Sequence, residues 1–284
     1  MHTIVDVQGF FMPSRLADSK ATKFTPFSPS RVLDTRKVGG KVAASALKEV
    51  AVNGVLKDAV AILTNLTVTG TSSEGYLAGD SCTKLSSNAP DSSNLNFSSQ
   101  DTVANLAVVN LGQMSQGLGF CTWANQELHQ IVDIQGVFTP GTSGMWGFNL
   151  EPQRRLVDTR KCVTDCAEVF RPGAMIKLKA PAGASAVLVN LTLTDAANSS
   201  FVIADRCSTL SPSTETPSNA NVTVGRVAAN LAVVPVDADG SFCVYTSSAT
   251  RVIVDIQGTF SPSADLRFIP VSSVRRLDSR KVAN

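Results

Sequence analysis

Two short motifs each occur three times in this chain of 284 residues, and this repetition constrains the fold more than any other feature. The first motif reads Val-Asp-x-Gln-Gly and begins at Val5, Val132 and Val254. The second reads Arg-x-x-Asp-Thr/Ser-Arg and begins at Arg31, Arg155 and Arg275. Recurrence of this kind indicates that the chain is built from copies of one structural unit.

A longer body between the motifs occurs twice. Residues 61–69 match residues 186–194, and residues 104–109 match residues 229–234, in both cases at an offset of 125 positions. Two bodies with three copies of each motif predict a leading segment, two repeats and a trailing segment. The predicted boundaries are 1–30 for a leading strand and linker, 31–141 for repeat 1, 142–262 for repeat 2, and 263–284 for a trailing arginine motif.

The composition of the bodies predicts strands. Their segments are short, rich in Val, Ile, Leu and Thr, and separated by turn residues, whereas helical periodicity is scarce. Strand segments recur at spacings of roughly 8–12 residues, which favours an all-β sandwich or barrel over a βαβ fold. We therefore expect an all-β chain of two tandem antiparallel β-sandwich or Greek-key barrel repeats, each of about 120 residues.

Charge and composition exclude several functional classes. The 25 Lys and Arg nearly balance the 23 Asp and Glu, so nothing indicates a nucleic-acid or membrane partner. No apolar stretch is long enough to span a membrane as a helix, and the first residues lack the regions of a signal peptide, which favours a mature or excised polypeptide. With two histidines and no phosphate loop, nucleophile elbow or metalloprotease motif, we expect no enzyme, cofactor or metal.

The six cysteines predict disulfides. Cys82 and Cys207 are repeat equivalents, as are Cys121 and Cys243, which predicts the bridges Cys82–Cys121 and Cys207–Cys243. Cys162 and Cys166 are expected to form a small local bridge, since no second pair with zinc-site spacing follows them. Disulfides form in oxidising compartments, so the predicted location is extracellular or at the cell surface.

An acid in an otherwise apolar strand must be paired or solvated. We expect Asp6, Asp133 and Asp255 of the first motif to pair with arginines of the second motif, which follows about 20–25 residues later. The expected partners are Arg36, Arg160 and Arg280, because a planar guanidinium can hold a carboxylate at two points. The alternative is that these arginines bind a sugar or carboxylate ligand.

Two further features have competing interpretations. Trp123, Trp146, Tyr76 and Tyr245 could form a sugar-stacking platform, but packing in the core is the favoured interpretation. His129 has no evident repeat partner, and we expect it to be a lone surface histidine.

Together, the motifs Val-Asp-x-Gln-Gly-x-Phe, Arg-x-Leu-Asp-Thr-Arg and Asn-Leu-Thr-Val-Thr resemble a repeat of secreted, surface-exposed proteins, chiefly of actinobacteria and related bacteria. The resemblance covers nearly the whole chain and implies a surface or accessory role without any catalytic residue. The leading hypothesis is an extracellular structural or adhesive module (a spacer, fibre or surface-layer component). Spare terminal segments would let it assemble head to tail with copies of itself or with neighbouring repeats. The alternative is a module that binds carbohydrate or cell wall, with a surface glycan as partner.

Overall fold

The computed structural model describes residues 2–55, 57–85, 88–141, 143–161, 170–213 and 217–281. In these ranges the regular structure consists of β-strands and two single 3₁₀ turns, Ser14–Leu16 and Thr159–Lys161. The strands are β1 Ile4–Pro13, β2 Thr22–Asp34, β3 Leu47–Ala51, β4 Ala61–Thr69, β5 Gly75–Asp80, β6 Leu95–Phe97, β7 Val103–Asn110, β8 Gly112–Met114, β9 Gly117–Ala124, β10 His129–Pro140, β11 Gly147–Asp158, β12 Ala174–Lys179, β13 Ala186–Thr194, β14 Ser200–Asp205, β15 Ala220–Val222, β16 Ala228–Pro235, β17 Ser241–Thr246, β18 Arg251–Ser261 and β19 Leu266–Asp278.

The predicted fold class is confirmed: the protein is all-β, with several antiparallel sheets consistent with a β-sandwich. The chain divides into two compact units. Unit 1 comprises residues 1–101, 107–144 and 267–284, and unit 2 comprises residues 102–106 and 145–266. Residues 1–30 and most of the trailing segment thus belong to unit 1.

In unit 1, β10 lies between β2 and β4 and is antiparallel to both. Strand β4 also neighbours β7, and β1 pairs with β19. A second sheet has the order β3-β9-β5-β6, with β8 also paired to β9. Most apolar side chains of β4 and β9, among them Ile62, Leu66 and Phe120, are buried, as expected of strands that contribute to a core.

In unit 2, β18 lies between β11 and β13, and β13 also pairs with β16. A second sheet has the order β12-β17-β14-β15. Apolar side chains from both sheets, including Leu191, Val254 and Phe242, belong to one buried cluster. Burial of this apolar surface between two sheets is the main favourable term for a sandwich core.

Among the described residues, each unit contains one disulfide, and both lie at predicted positions. Cys82 is bonded to Cys121 in unit 1, and Cys207 is bonded to Cys243 in unit 2. Both predicted bridges are therefore confirmed. Cys162 and Cys166, the third predicted pair, lie outside the described residues.

No helix in the described part of the chain has the length and apolar character needed to cross a membrane.

Candidate functional site

Antiparallel pairing brings the two repeated motifs together in three places. Strand pair 1 consists of β2 and β10, and strand pair 2 consists of β11 and β18. Strand pair 3 consists of β19 and β1. In each pair one strand ends in the arginine motif and the other carries the Val-Asp-x-Gln-Gly motif. In pair 1 the register places Asp133 opposite Arg31, and in pair 2 it places Asp255 opposite Arg155.

A bidentate ion pair joins the two strands of each pair. In pair 1, Arg31 Nε donates to Asp133 Oδ1 at 2.8 Å and Arg31 Nη2 donates to Asp133 Oδ2 at 3.1 Å. Pairs 2 and 3 repeat this geometry, with Arg155 on Asp255 at 2.9 and 3.2 Å and Arg275 on Asp6 at 2.9 and 3.0 Å. A planar guanidinium that holds both carboxylate oxygens fixes the orientation of both strands.

A second arginine and a second acid extend each ion pair into what we call an Asp-Arg network. Arg36 Nε and Nη2 donate to the two oxygens of Asp34, at 2.9 and 2.6 Å. Arg31 Nη1 also lies 3.6 Å from Asp34, so this acid lies between two cations. The equivalent acids and arginines are Asp158 with Arg160 and Arg155, and Asp278 with Arg280 and Arg275.

The predicted partners of the repeated acids are wrong in two respects. Asp6, Asp133 and Asp255 bind the first arginine of a motif, whereas Arg36, Arg160 and Arg280 bind the acid two residues before them. The motif that supplies the partner is also not the one that follows. For Asp133 and Asp255 it lies about 100 residues earlier, and for Asp6 it lies 269 residues later.

The physical reason is chain geometry. The strand that carries the acid is antiparallel to the strand that ends in the arginine motif. In pairs 1 and 2 the body of the repeat lies between these two strands in the sequence, so the acid and its arginine are far apart along the chain. The last arginine follows the strand in a turn, where its backbone N–H also donates to the acid, as Arg36 N does to Asp34 at 3.1 Å. This turn holds the side chain of Arg36 close to its own acid.

The two acids of a network have different electrostatic surroundings. Burial raises the pKa of Asp133, and the hydrogen bonds from Arg31 oppose this shift. Hydrogen bonds from Arg36 lower the pKa of Asp34, and those from Arg160 and Arg280 hold the pKa of Asp158 and Asp278 well below the usual range. In each network the carboxylates therefore bind the guanidinium groups of the same network.

The Gln-Gly part of the first motif forms a β-bulge. Against β4, the register of β10 passes from Ile134 to Gly136 and omits Gln135. Against β13, the register of β18 omits Gln257 in the same way. A bulge bends its strand and increases the local twist, so the motif encodes a backbone shape as well as an ion pair.

A phenylalanine that sequence reasoning missed packs on each glycine of the motif. A Cβ placed on Gly136 would lie 2.4 Å from Phe24 Cζ, and on Gly258 it would lie 2.0 Å from Phe148 Cζ. Gly9 and Phe268 form the third such contact. The signal was present in the sequence, because Phe24, Phe148 and Phe268 each stand seven residues before the first arginine of the second motif.

The same phenylalanines also contact the phenylalanine that follows each Gln-Gly. Ring centroids are 5.2 Å apart for Phe24 and Phe138, 4.9 Å for Phe148 and Phe260, and 5.0 Å for Phe268 and Phe11. Tilted pairs at this separation add to the energy of burial. Each strand pair therefore combines an aromatic contact with an Asp-Arg network.

The hydroxyl residue of the second motif fixes the start of the neighbouring strand. Thr35 Oγ1 accepts a hydrogen bond from Gln130 N at 2.9 Å, and Thr159 Oγ1 and Ser279 Oγ accept equivalent bonds from Val252 N and Thr3 N. His129 is not a lone surface residue. It is half-buried, its Nδ1 lies 3.2 Å from Thr35 Oγ1, and His2 lies in the same way beside Ser279.

The tryptophans considered for a sugar-stacking platform are core residues, since both Trp123 and Trp146 are buried. Tyr76 and Tyr245 are half-buried, and the Tyr76 ring lies 5.5 Å from the Trp123 ring. This agrees with the favoured interpretation of core packing.

A small polar cavity of about 220 Å³ lies beside strand pair 3 in unit 1. Its lining includes Tyr76, Asn96, Arg275 and Arg280. Burial raises the pKa of Tyr76, and its hydroxyl donates to the carbonyl of Pro90 at 3.3 Å. The cavity is lined by hydrogen-bond donors and acceptors. The described residues contain no group of three or more His, Cys, Asp or Glu that could hold a metal ion.

Comparisons with known proteins give no family. No protein-family model matches the chain, and no curated protein matches it. The solved structures that match include two that are weakly similar. One is the N-terminal CBM22-1-CBM22-2 tandem domain of a Paenibacillus barcinonensis protein, with 11% identity, 82% of this chain and 98% of that chain covered, and a TM-score of 0.19. The other is the structure of infectious bursal disease virus, Gx strain, with 10% identity, 95% and 72% covered, and a TM-score of 0.18. Neither similarity is close enough to inform the function.

Proposed function

We propose that this chain is an extracellular structural or adhesive module, such as a spacer, fibre or surface-layer component. One observation carries the proposal: the repeated charged residues bind each other across strand pairs 1, 2 and 3. Residues that recur for ligand binding would direct their hydrogen-bonding groups toward a cleft. Here Arg31, Arg155 and Arg275 each hold an acid of the neighbouring strand at two points, and this holds also for Arg275, which lines the cavity beside strand pair 3.

The two disulfides support the extracellular part of the proposal. Cys82–Cys121 and Cys207–Cys243 each cross-link residues 36–39 positions apart within one unit. Bridges of this kind persist in oxidising compartments and are rare in the cytosol. They also suit a module that must stay folded outside the cell.

Assembly through the terminal segments belongs to the same proposal. Strand pair 3 joins β1 to β19, and its ion pair connects residues 269 positions apart. If β1 is exchanged between copies, identical contacts form between two chains, and repeated exchange produces a head-to-tail series. The exposed segment between β1 and β2, which includes Leu16, would serve as the hinge.

Sedimentation of the purified chain over a wide concentration range tests assembly. We expect concentration-dependent association that a variant without β1 (Ile4–Pro13) does not show, because it has no strand to exchange. An Asp255→Ala variant is the control, because it alters strand pair 2 and leaves β1 in place. A chain that stays monomeric at every concentration contradicts head-to-tail assembly.

The second candidate is a carbohydrate-binding module, and the cavity beside Tyr76 is the observation that favours it. A glycan array with the wild-type chain and with an Asn96→Ala variant separates the two candidates. Asn96 is exposed and lines the cavity, so its loss should remove binding without unfolding the chain. Absence of binding by the wild type eliminates the carbohydrate function, and binding without any self-association favours it over the structural one.

A further inference from the structure

Two turns of the chain contain Asn or Asp followed directly by Gly. Asn53-Gly54 lies between β3 and β4 in unit 1, and Asp239-Gly240 lies between β16 and β17 in unit 2. Both glycines have a positive φ, +78° for Gly54 and +76° for Gly240, which glycine adopts without steric cost. Because glycine has no Cβ, its backbone nitrogen can also approach the side-chain carbonyl carbon of the residue before it.

The turn that contains Asn53 has few internal restraints. Residues 53–59 join two anchored points, since Val52 N and Val60 N each donate to a carbonyl of a neighbouring strand, at 2.9 and 3.0 Å. In the described part of this turn, neither the side chain of Asn53 nor the N–H of Gly54 forms a hydrogen bond with another described residue. Both residues are exposed. Segments with few hydrogen bonds and high exposure change conformation at low cost in free energy.

The equivalent turn of unit 2, which joins β12 to β13, is shorter and more restrained. It consists of residues 181–184 and is closed by a hydrogen bond from Ala184 N to Pro181 O at 3.3 Å. Its glycine, Gly183, has the same φ of +78° and is preceded by Ala182. A positive φ at this point of the fold therefore does not require an asparagine before the glycine.

Asp239 shows how a reactive sequence is protected. Its Oδ1 accepts hydrogen bonds from the backbone and the hydroxyl of Ser241, and its Oδ2 accepts one from Lys179 Nζ at 3.0 Å. These bonds hold the pKa of Asp239 well below the usual range, and an ionised carboxylate is a poor electrophile. Gly240 N donates to Asp237 O at 2.8 Å and is thereby held away from the carboxylate. Asn53-Gly54 has neither restraint among the described residues.

We propose that Asn53 is a site of spontaneous covalent modification, at which Gly54 and water convert the asparagine to aspartate or isoaspartate. Gly54 N forms a bond to Asn53 Cγ, and Asn53 Nδ2 leaves as ammonia with the proton that Gly54 N gives up. Water then adds to one of the two carbonyl carbons of the cyclic imide and breaks its bond to Gly54 N. Opening at Cγ gives aspartate, and opening at the backbone carbonyl carbon gives isoaspartate, in which the main chain runs through Cγ.

The modification changes the charge of one surface region of unit 1. Asn53 and Lys57 line the same surface cavity, of about 450 Å³, so the new carboxylate stands at a cavity that already carries a cation. The reaction needs only water, and its product accumulates for as long as the chain exists. The inference does not depend on the proposed function, because it concerns the chemistry of one turn.

Incubation of the full folded chain at mildly alkaline pH and physiological temperature is the test. Peptide mapping by mass spectrometry follows the exchange of an amide NH₂ for O–H, and an isoaspartate-specific methyltransferase labels the isoaspartate. Asn53 should react at least tenfold faster than Asn198, which is also exposed but is followed by Ser199, whose Cβ hinders the attack. Isoaspartate should form at Asp239 only when the chain is unfolded in urea.

Gly54→Ala is the variant that tests the attacking nitrogen, and it should slow the reaction of Asn53 at least tenfold. Gly39→Ala is the matched control, because Gly39 is also exposed, has a φ of +89° and has no atom near its Cβ position. This control should leave the rate at Asn53 unchanged. Asn53→Ala should remove the product and keep the unfolding temperature of the wild type, since Ala182 holds the equivalent place in unit 2.

Three results would overturn the proposal, and two of them need only the wild-type chain. One is a folded chain in which Asn53 reacts no faster than Asn198. Another is a reaction at Asn53 that is more than tenfold slower in the folded chain than in urea, because the turn would then protect the asparagine. The third is a Gly54→Ala variant that reacts at the rate of the wild type.

Discussion

Strand pairs 1 and 2 contain the same ion pair in different surroundings. The side chain of Asp133 in pair 1 is 2% exposed, whereas that of Asp255 in pair 2 is 18% exposed. Arg31 is likewise more buried than Arg155. The hydrogen-bond distances in the two pairs are nearly equal, so the motif determines the contact. The packing around each pair determines how much water surrounds it. Removing one partner of an ion pair costs more free energy of unfolding at a buried site, because the charge that remains is poorly solvated.

The first prediction compares loss of the acid in the two pairs. Asp133→Ala should lower the free energy of unfolding by about 3–5 kcal/mol, because it leaves Arg31 largely buried with only Asp34 nearby. Asp255→Ala should cause a clearly smaller loss, since water can solvate Arg155. Urea denaturation of both variants measures the difference. Equal losses would show that burial does not distinguish the two pairs.

The second prediction concerns the disulfides, which serve as an internal reference for the two units. Replacing both cysteines of a bridge by alanine should destabilise either unit by about 2–4 kcal/mol, since the bridges close loops of nearly the same length. Denaturation of the Cys82→Ala, Cys121→Ala variant and of the Cys207→Ala, Cys243→Ala variant tests this. A large difference between the two would reveal unequal stability of the units and would weaken the interpretation of the aspartate variants.

The third prediction concerns the glycines of the bulges. Gly136→Ala and Gly258→Ala should each cost about 1–3 kcal/mol, because the new methyl group would collide with the ring of Phe24 or Phe148. Gly54→Ala is a control of another kind: no atom lies near its Cβ position, and its cost comes from a positive φ. Thermal unfolding measures all three. If the bulge variants lose no stability, the contact between phenylalanine and glycine is not a constraint.

The fourth and smallest prediction is a pH dependence of opposite sign for two acids of different networks, Asp158 beside strand pair 2 and Asp133 in strand pair 1. The pKa of Asp158 is lowered in the folded state, so its contribution is present above the unfolded pKa of about 3.8 and is lost as the pH falls through the folded value. The pKa of Asp133 is raised, so the folded state binds its proton more tightly, and stability is lost as the pH rises from about 3.8 through the folded value.

Urea denaturation between about pH 2.5 and 6 separates the two acids. Asp158→Asn should reduce the loss of stability on acidification, whereas Asp133→Asn should make that loss steeper just above the unfolded pKa. The wild type measured in parallel is the reference. A shallower curve for Asp133→Asn would contradict a raised pKa.

The strands and the disulfides could be predicted from the sequence, because both depend on short patterns that recur along the chain. Recurring Val-Asp-x-Gln-Gly segments indicated strands, and cysteines at equivalent positions indicated the bridges Cys82–Cys121 and Cys207–Cys243. The need for an arginine partner followed from the cost of burying an unpaired acid. The choice of arginine did not follow, because proximity in sequence suggested the nearest motif, whereas β10 is antiparallel to a strand about 100 residues earlier.

The sequence by itself determined an all-β chain with repeated motifs, two disulfides and acids that require cationic partners, because strand propensity, cysteine equivalence and the cost of desolvation act at the level of single residues. Only the tertiary structure decided which arginine binds which acid and how far water reaches each network. These properties depend on which strands lie side by side, and strand pairing over long sequence separations is set by the packing of the whole unit.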